Sequence, residues 1–92
     1  MLGLTQHAEA RMQQRGISRI ALESLLDYGT TTHDHHGATV VHFDKKAKSR
    51  LLKDAGPRVY RVMEKFLNAY AVLANDGRVL TVGHRYRRIQ RP

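Results

Sequence analysis

The chain has 92 residues, enough for one small domain and too few for two ordinary ones. It has no cysteine, which excludes a disulfide framework, a thiolate zinc site and a cysteine nucleophile, and no apolar run approaches the ~20 residues of a membrane span. The 16 lysines and arginines outnumber the 8 acidic residues and give a net charge of +8, which favours a polyanionic partner. We therefore expect one cytoplasmic domain over residues 1–92, with no membrane segment.

The first third of the sequence predicts two short helices. Thr5 is a suitable N-cap for a helix over residues 6–14, and Gly16 is placed to end it. Ser18 caps a second helix, which Gly29 ends. We expect this second helix to be held in the core by an apolar stripe of Ile20, Leu22, Leu25 and Leu26.

The middle of the chain predicts a hairpin followed by further helix. Residues 30–35 form a first strand that is exposed or at an edge, and residues 38–43 form its partner. Asp44 caps a lysine-rich helix over residues 45–53, and Pro57 suits the first turn of another helix. The predicted apolar face of that helix consists of Val59, Val62, Met63, Phe66 and Leu67.

The last third predicts a second hairpin. Residues 69–74 form an apolar strand, Asn75-Asp76-Gly77 is a strong turn signal, and residues 78–87 return as a strand. The order of elements is helix, helix, hairpin, one or two helices, hairpin. This order predicts an α+β domain with a mainly antiparallel four-stranded sheet, packed on one face by helices.

The first predicted helix carries a basic, titratable face. His7, Arg11 and Arg15 are spaced so that each lies about one turn from the next. Histidine can take or give a proton near neutral pH, and arginine holds phosphate oxygens in a planar fork. Metal-independent cleavage of RNA needs both functions. The pattern is typical either of such a site or of an amphipathic helix with a basic solvent face.

The last predicted strand carries a second set of polar side chains. Alternation places Thr81 and Arg85 on one face. Val82, His84 and Tyr86 lie on the other face. His84 or Tyr86 is therefore a candidate second proton-transfer group that completes an acid–base pair with the first helix, and the alternative is an ordinary edge-strand surface.

Two basic segments are candidates for contacts with flanking RNA phosphates. One is the lysine-rich predicted helix, and the other is the arginine-rich end of the chain. Their members are Lys45, Lys46, Lys48 and Arg50 in the first segment, and Arg85, Arg87 and Arg88 in the second.

Histidines also cluster in the first predicted hairpin. His33, Asp34, His35 and His36 fall within four residues, whereas metal ligands usually come from more widely spread positions. We expect an exposed polar turn there, and neither a metal nor a cofactor in the protein. The few tyrosines and phenylalanines form no evident stacking surface, which argues against a sheet that binds single strands.

The two ends of the chain carry a family resemblance. The stretch His-Ala-x-x-Arg-Met-x-x-Arg-Gly-Ile, residues 7–17, resembles the opening motif of domain-of-unknown-function family 4258, and residues 80–89 are similar to its last strand. That family is similar to the barnase–EndoU–colicin–RelE group of small α+β RNase-like toxins. The resemblance implies that His7 and Arg11 are active-site residues supported by Arg15, with Thr81, His84 or Tyr86 contributed by the sheet.

These observations favour a small RelE-like or barnase-like endoribonuclease, with RNA or the ribosome as partner and an antitoxin protein as a further one. The alternatives are a non-catalytic basic module that binds nucleic acid or ribosome, and a protein-interaction domain that uses the exposed hairpin edge. Helix-turn-helix DNA binding is disfavoured, because the second predicted helix is acidic and apolar.

Overall fold

Four helices and a four-stranded sheet are built from the described part of the chain. The computed structural model describes residues 3–33 and 37–85. A single 3₁₀ turn, Glu64–Phe66, separates the last helix from the second hairpin. The elements in chain order are α1 (Gln6–Arg15), α2 (Arg19–Tyr28), β1 (Thr30–His33), β2 (Thr39–His42), α3 (Lys45–Ala55), α4 (Pro57–Met63), β3 (Ala69–Leu73) and β4 (Val79–His84). The predicted α+β class and order of elements are confirmed.

The strands lie in the order β1-β2-β3-β4, and every neighbouring pair is antiparallel. The first strand is thus at an exposed edge, as predicted. Val41, Ala71 and Val82 lie directly opposite one another and are buried, so they define the face that the helices cover. We call the other face, on which Val40, Val72 and Thr81 are only half-buried, the open face.

Side-chain caps explain where three of the helices begin. In each case a residue with an extended backbone uses its short polar side chain to accept a hydrogen bond from the backbone N–H three residues later. The caps are Thr5 for α1, Ser18 for α2 and Asp44 for α3. The pKa of the Asp44 carboxyl is lowered by its hydrogen bond from the Ala47 N–H and then by that from the Thr30 hydroxyl.

Helix α1 is fixed along β4 at both of its ends. Val79 donates its N–H to the Gly3 carbonyl at 2.7 Å and accepts from the Thr5 N–H at 3.1 Å. The Thr5 hydroxyl donates to the Leu80 carbonyl at 3.2 Å. At the far end, the His84 imidazole reaches the Arg15 carbonyl. The helix therefore runs parallel to β4, with its first turn beside the start of the strand.

Three residues assigned to apolar core faces are instead exposed. Ile20 is 66% exposed, Val59 38% and Val62 60%. In α2 the buried side is set by Ala21, Leu22 and Leu25, and at 100° per residue Ile20 lies nearly opposite their centre. In α4 the core side is set by Tyr60 and Met63, which turns Val62 toward solvent. The predicted stripes of α2 and α4 were wrong at these positions.

No helix among residues 3–33 and 37–85 has the length and apolar character that crossing a membrane requires.

A methyl group at Gly29 is expected to destabilise the fold strongly. The Cβ of Gly29→Ala would lie 2.5 Å from the Leu25 carbonyl oxygen and 2.6 Å from Cγ1 of Val41, neither of which can move independently of the core. We expect a loss of about 3 kcal/mol in the free energy of unfolding, measured in urea. Gly16→Ala is the control, because its Cβ meets nothing within 4 Å and it loses only the left-handed preference at φ 66°, about 1 kcal/mol. Equal losses in the two variants would contradict this account.

Candidate functional site

The exposed side of α1 carries a connected group of polar side chains, His7, Arg11 and Gln14, which we call the α1 group. Arg11 Nε donates to His7 Nε2 at 3.2 Å, and Arg11 Nη1 donates to Gln14 Oε1 at 3.1 Å. Because Nε2 of His7 accepts, the proton of the neutral ring is on Nδ1. The structure thus brings together the histidine and arginine that their spacing predicts on one face, and it leaves other guanidinium N–H groups available to an anion.

His84 is held between α1 and the second hairpin. Its Nε2 donates to the Arg15 carbonyl at 3.1 Å, and its Nδ1 lies 2.9 Å from Asn68 Oδ1. His84 pairs with Ala69 across the strands, on the helix-covered face. Both ring nitrogens are therefore engaged in contacts that tie the end of α1 to the sheet. Of Arg15, it is the backbone carbonyl that meets His84.

The two histidines proposed for one acid–base pair lie near opposite ends of α1. Arg15, whose carbonyl contacts His84, lies eight positions after His7, and a rise of 1.5 Å per residue makes this about 12 Å along the helix. A general acid and a general base must both reach one phosphodiester. Tyr86, the other candidate, lies outside the described residues, as do Arg87 and Arg88.

The lysine-rich helix α3 presents a basic cleft. Lys46, Ser49, Arg50 and Lys53 line a volume of about 280 Å³. The Arg50 guanidinium is oriented by its hydrogen bond to the Tyr28 carbonyl, at 2.9 Å. Lys45 is exposed and Lys48 half-buried on the same helix. Helix α3 packs on α2 and α4, whereas α1 packs along β4, so the two basic surfaces are on different parts of the fold.

A further polar row crosses the open face of the sheet. His42, Tyr70 and Gly83 lie directly opposite one another on three neighbouring strands. The Arg85 N–H continues the ladder by donating to the Asn68 carbonyl at 2.6 Å, which places Arg85 on the same face as Gly83. We call His42, Tyr70, Gly83 and Arg85 the open-face row.

His42 is an unsatisfied group within that row. Its Nδ1 is buried and has no hydrogen-bond partner among residues 3–33 and 37–85. Burial lowers the pKa of His42, and the positive charge of Arg85 lowers it further, against an opposing effect of Asp44. These effects favour the neutral imidazole.

Tyr70 covers the backbone of β4 at Gly83. A Cβ at Gly83 would lie 2.9 Å from Tyr70 Cε1 and 3.0 Å from its hydroxyl oxygen, so the phenol end of the ring extends across the strand. The sequence did not single out this half-buried ring, and the expectation that the aromatic residues form no stacking surface stays a prediction. The glycine inside a strand was the available signal, since it often marks close approach of another group.

The described residues contain no group of three or more His, Cys, Asp or Glu side chains arranged to hold a metal ion. His33, the one described member of the histidine cluster, lies 3.2 Å by Nδ1 from the Thr39 hydroxyl. Asp34, His35 and His36 lie outside the described residues.

A family model described as Domain of unknown function (DUF4258) matches residues 4–84. The match covers both the α1 group and the strands of the open-face row. No curated protein and no solved structure gives a significant match to the chain.

His84 is expected to matter for stability more than His7 does. Replacing His84 with alanine removes the contacts to Arg15 and Asn68, and we expect a loss of about 1 kcal/mol or more in the free energy of unfolding. His7→Ala removes one exposed contact, and its stability should stay within about 0.5 kcal/mol of the parent. Urea unfolding of both variants at pH 7 tests this. An unchanged midpoint for His84→Ala would show that its contacts with Arg15 and Asn68 do not stabilise the fold.

Proposed function

The chain belongs to the DUF4258 family, and we propose that it is an endoribonuclease that cleaves RNA without a metal ion at the His7–Arg11 pair of α1. The observation that carries this proposal is the 3.2 Å contact between Arg11 Nε and His7 Nε2 on the exposed side of the helix. A proton acceptor and a guanidinium held side by side are what attack by a ribose 2′-hydroxyl requires.

The contact suggests how the two groups cooperate. When RNA binds, the Arg11 N–H leaves the single lone pair of His7 Nε2 and donates to a phosphate oxygen instead. The freed Nε2 then takes the proton of the 2′-hydroxyl, the 2′-oxygen attacks the neighbouring phosphorus, and Arg11 stabilises the negative charge that builds on the phosphate. The bond from phosphorus to the 5′-oxygen breaks, and the leaving oxygen takes a proton from solvent. The products are a 2′,3′-cyclic phosphate and a 5′-hydroxyl.

The fold and the charge agree with this reading. Two N-terminal helices and a four-stranded antiparallel sheet support a RelE-like or barnase-like toxin, with α3 and α4 inserted between the two hairpins. The cleft of α3, with Lys46, Arg50 and Lys53, offers cations to the phosphates of a long RNA or of the ribosome. An antitoxin protein is the partner that such a toxin would require.

Replacing His7 should abolish cleavage without disturbing the fold. We expect His7→Gln to lower the rate by about 100-fold or more, because removing a general base typically costs 10²–10⁴-fold. Arg11→Gln should lower it comparably. The measurement is mapping of new RNA ends in a bacterial translation extract, with the 2′,3′-cyclic phosphate identified chemically. Arg19→Gln, an exposed cation on α2, is the matched control and should retain the rate of the parent. Equal cleavage by the parent and His7→Gln would refute the proposal.

A non-catalytic RNA-binding module is the second candidate, and the placement of His84 favours it. His84 is engaged at both nitrogens near the far end of α1, so it does not supply the leaving-group proton beside His7. In this case the protein would bind RNA through the basic surfaces of α1 and α3 and would not cleave it.

Binding to RNA should then depend steeply on salt and on α3. The slope of log affinity against log salt is about −0.7 for each phosphate neutralised on a single strand. Replacing Lys46 and Lys53 together with glutamine should reduce its magnitude by about 1.4. The comparison is a salt titration of a fluorescent RNA, with Arg19→Gln/Arg61→Gln as the charge-matched control. An unchanged slope in the α3 variant would exclude this cleft as the phosphate contact.

A further inference from the structure

The open-face row differs from the α1 group in the side chains that it combines. It combines an aromatic ring on Tyr70, a cation on Arg85 and an imidazole on His42 that lacks a partner at Nδ1. The α1 group lies on the helix-covered side of β4, and the row lies on the other side of the same strand. The cleavage chemistry proposed for α1 leaves these residues unused.

The row has the elements of a site for an unpaired base. Because Gly83 has no side chain, the Tyr70 ring lies against the backbone of β4 instead of standing away from the sheet. An aromatic ring supported in this way has a preset orientation, and every nucleobase has a π-face that can stack on it. A base inside a duplex is already stacked on its neighbours, so this surface suits a single strand.

Hydrogen-bonding groups and charge surround the ring. Arg85 lies two residues beyond Gly83 on the same face, and the Thr81 hydroxyl lies two residues before it. His42 is directly across from Tyr70 on the other side, and Arg85 is close enough for its charge to act on His42. A single strand of RNA has one phosphate beside each base, and the row has the cation of Arg85 near the ring of Tyr70.

We propose that the open face of the sheet binds single-stranded RNA, with a base stacked on Tyr70, the adjoining phosphate on Arg85 and a polar edge of the base or ribose facing His42. The choice of RNA rests on the proposed function, but the binding does not require cleavage. The open face then holds the strand, and the α1 group acts on a bond of the same strand.

The first test is the affinity for a fluorescent oligo(U) 12-mer, measured by anisotropy in a His7→Gln background so that cleavage does not consume the probe. Tyr70→Leu should weaken binding about fivefold or more, the lower end of what stacking of one base contributes. Tyr70→Phe keeps the ring and should stay within about twofold of the parent. Arg85→Gln should weaken binding severalfold, whereas the exposed Arg61→Gln on α4 should not.

Gly83→Ala is a second, positional variant. It removes no group that contacts RNA, but its Cβ would meet the Tyr70 ring at 2.9 Å and displace it. We expect a loss of affinity similar to that of Tyr70→Leu. Thermal melting of each variant confirms that it is folded at the assay temperature.

Polyphosphate separates stacking from charge, because it has phosphates and no bases. Tyr70→Leu should bind polyphosphate as the parent does, within about twofold. Equal loss for both polyanions, or equal affinity of Tyr70→Leu and Tyr70→Phe for oligo(U), would overturn the proposal. Tighter binding of a duplex than of oligo(U) would also overturn it.

The imidazole of His42 gives a readout at the site itself. In the free protein its NMR titration midpoint should lie below 6.5, because burial and then Arg85 lower the pKa of His42 while Asp44 opposes them. A bound phosphate neutralises part of the charge of Arg85, so oligo(U) should raise that midpoint. A midpoint that oligo(U) leaves unchanged would place the RNA elsewhere. If oligo(U) binds as expected and the parent cleaves no RNA, the ribonuclease proposal fails and this one stands.

Discussion

The pairing of residues 3–5 with the start of β4 is the constraint that places α1 and its candidate residues on the sheet. Val79 is bonded through both its N–H and its carbonyl to this segment, and Thr5 adds a side-chain bond to Leu80. Thr5 is also the N-cap of α1. With Thr5 bonded at the start of β4 and the Arg15 carbonyl bonded to His84 at its end, α1 lies along the strand and parallel to it. His7 is thereby fixed near the beginning of the strand.

The parallel arrangement of α1 and β4 also determines whether His7 and His84 can act on the same phosphodiester. The end of α1 meets the end of β4, where His84 bonds the carbonyl of Arg15. A histidine at each end of one three-turn helix cannot share a phosphodiester, since the acid and the base must both contact it. The cleavage site that we propose on α1 therefore uses the neighbouring His7 and Arg11, and His84 bonds the end of the helix to the sheet. From the sequence alone, a histidine that bonds a helix to a sheet cannot be told from one that transfers a proton.

Local sequence signals made most of the fold predictable. The features that were mispredicted or missed depend on contacts between residues far apart in the sequence. The caps at Thr5, Ser18 and Asp44 act within three residues, so the sequence alone located the start of α1, α2 and α3. Which side of a helix is buried depends on its neighbours, and this is why Ile20 and Val62 were misassigned. His7 and Arg11 are one turn apart and could be paired from spacing. The open-face row joins residues from three strands, and only the register brings them together.

Strand β4 connects the two surfaces because its alternate residues serve opposite faces. Val82 and His84 point to the helices, whereas Gly83 and Arg85 lie on the open face. The strand is also the last of the four in the sheet, and beside its start it pairs with residues 3–5, from which α1 continues. A single-residue shift of β4 would exchange the two sets, burying Arg85 and moving Gly83 from beneath Tyr70. The contacts of Val79 with residues 3–5 therefore fix more than the position of α1: they oppose the slippage that would dismantle both sites at once.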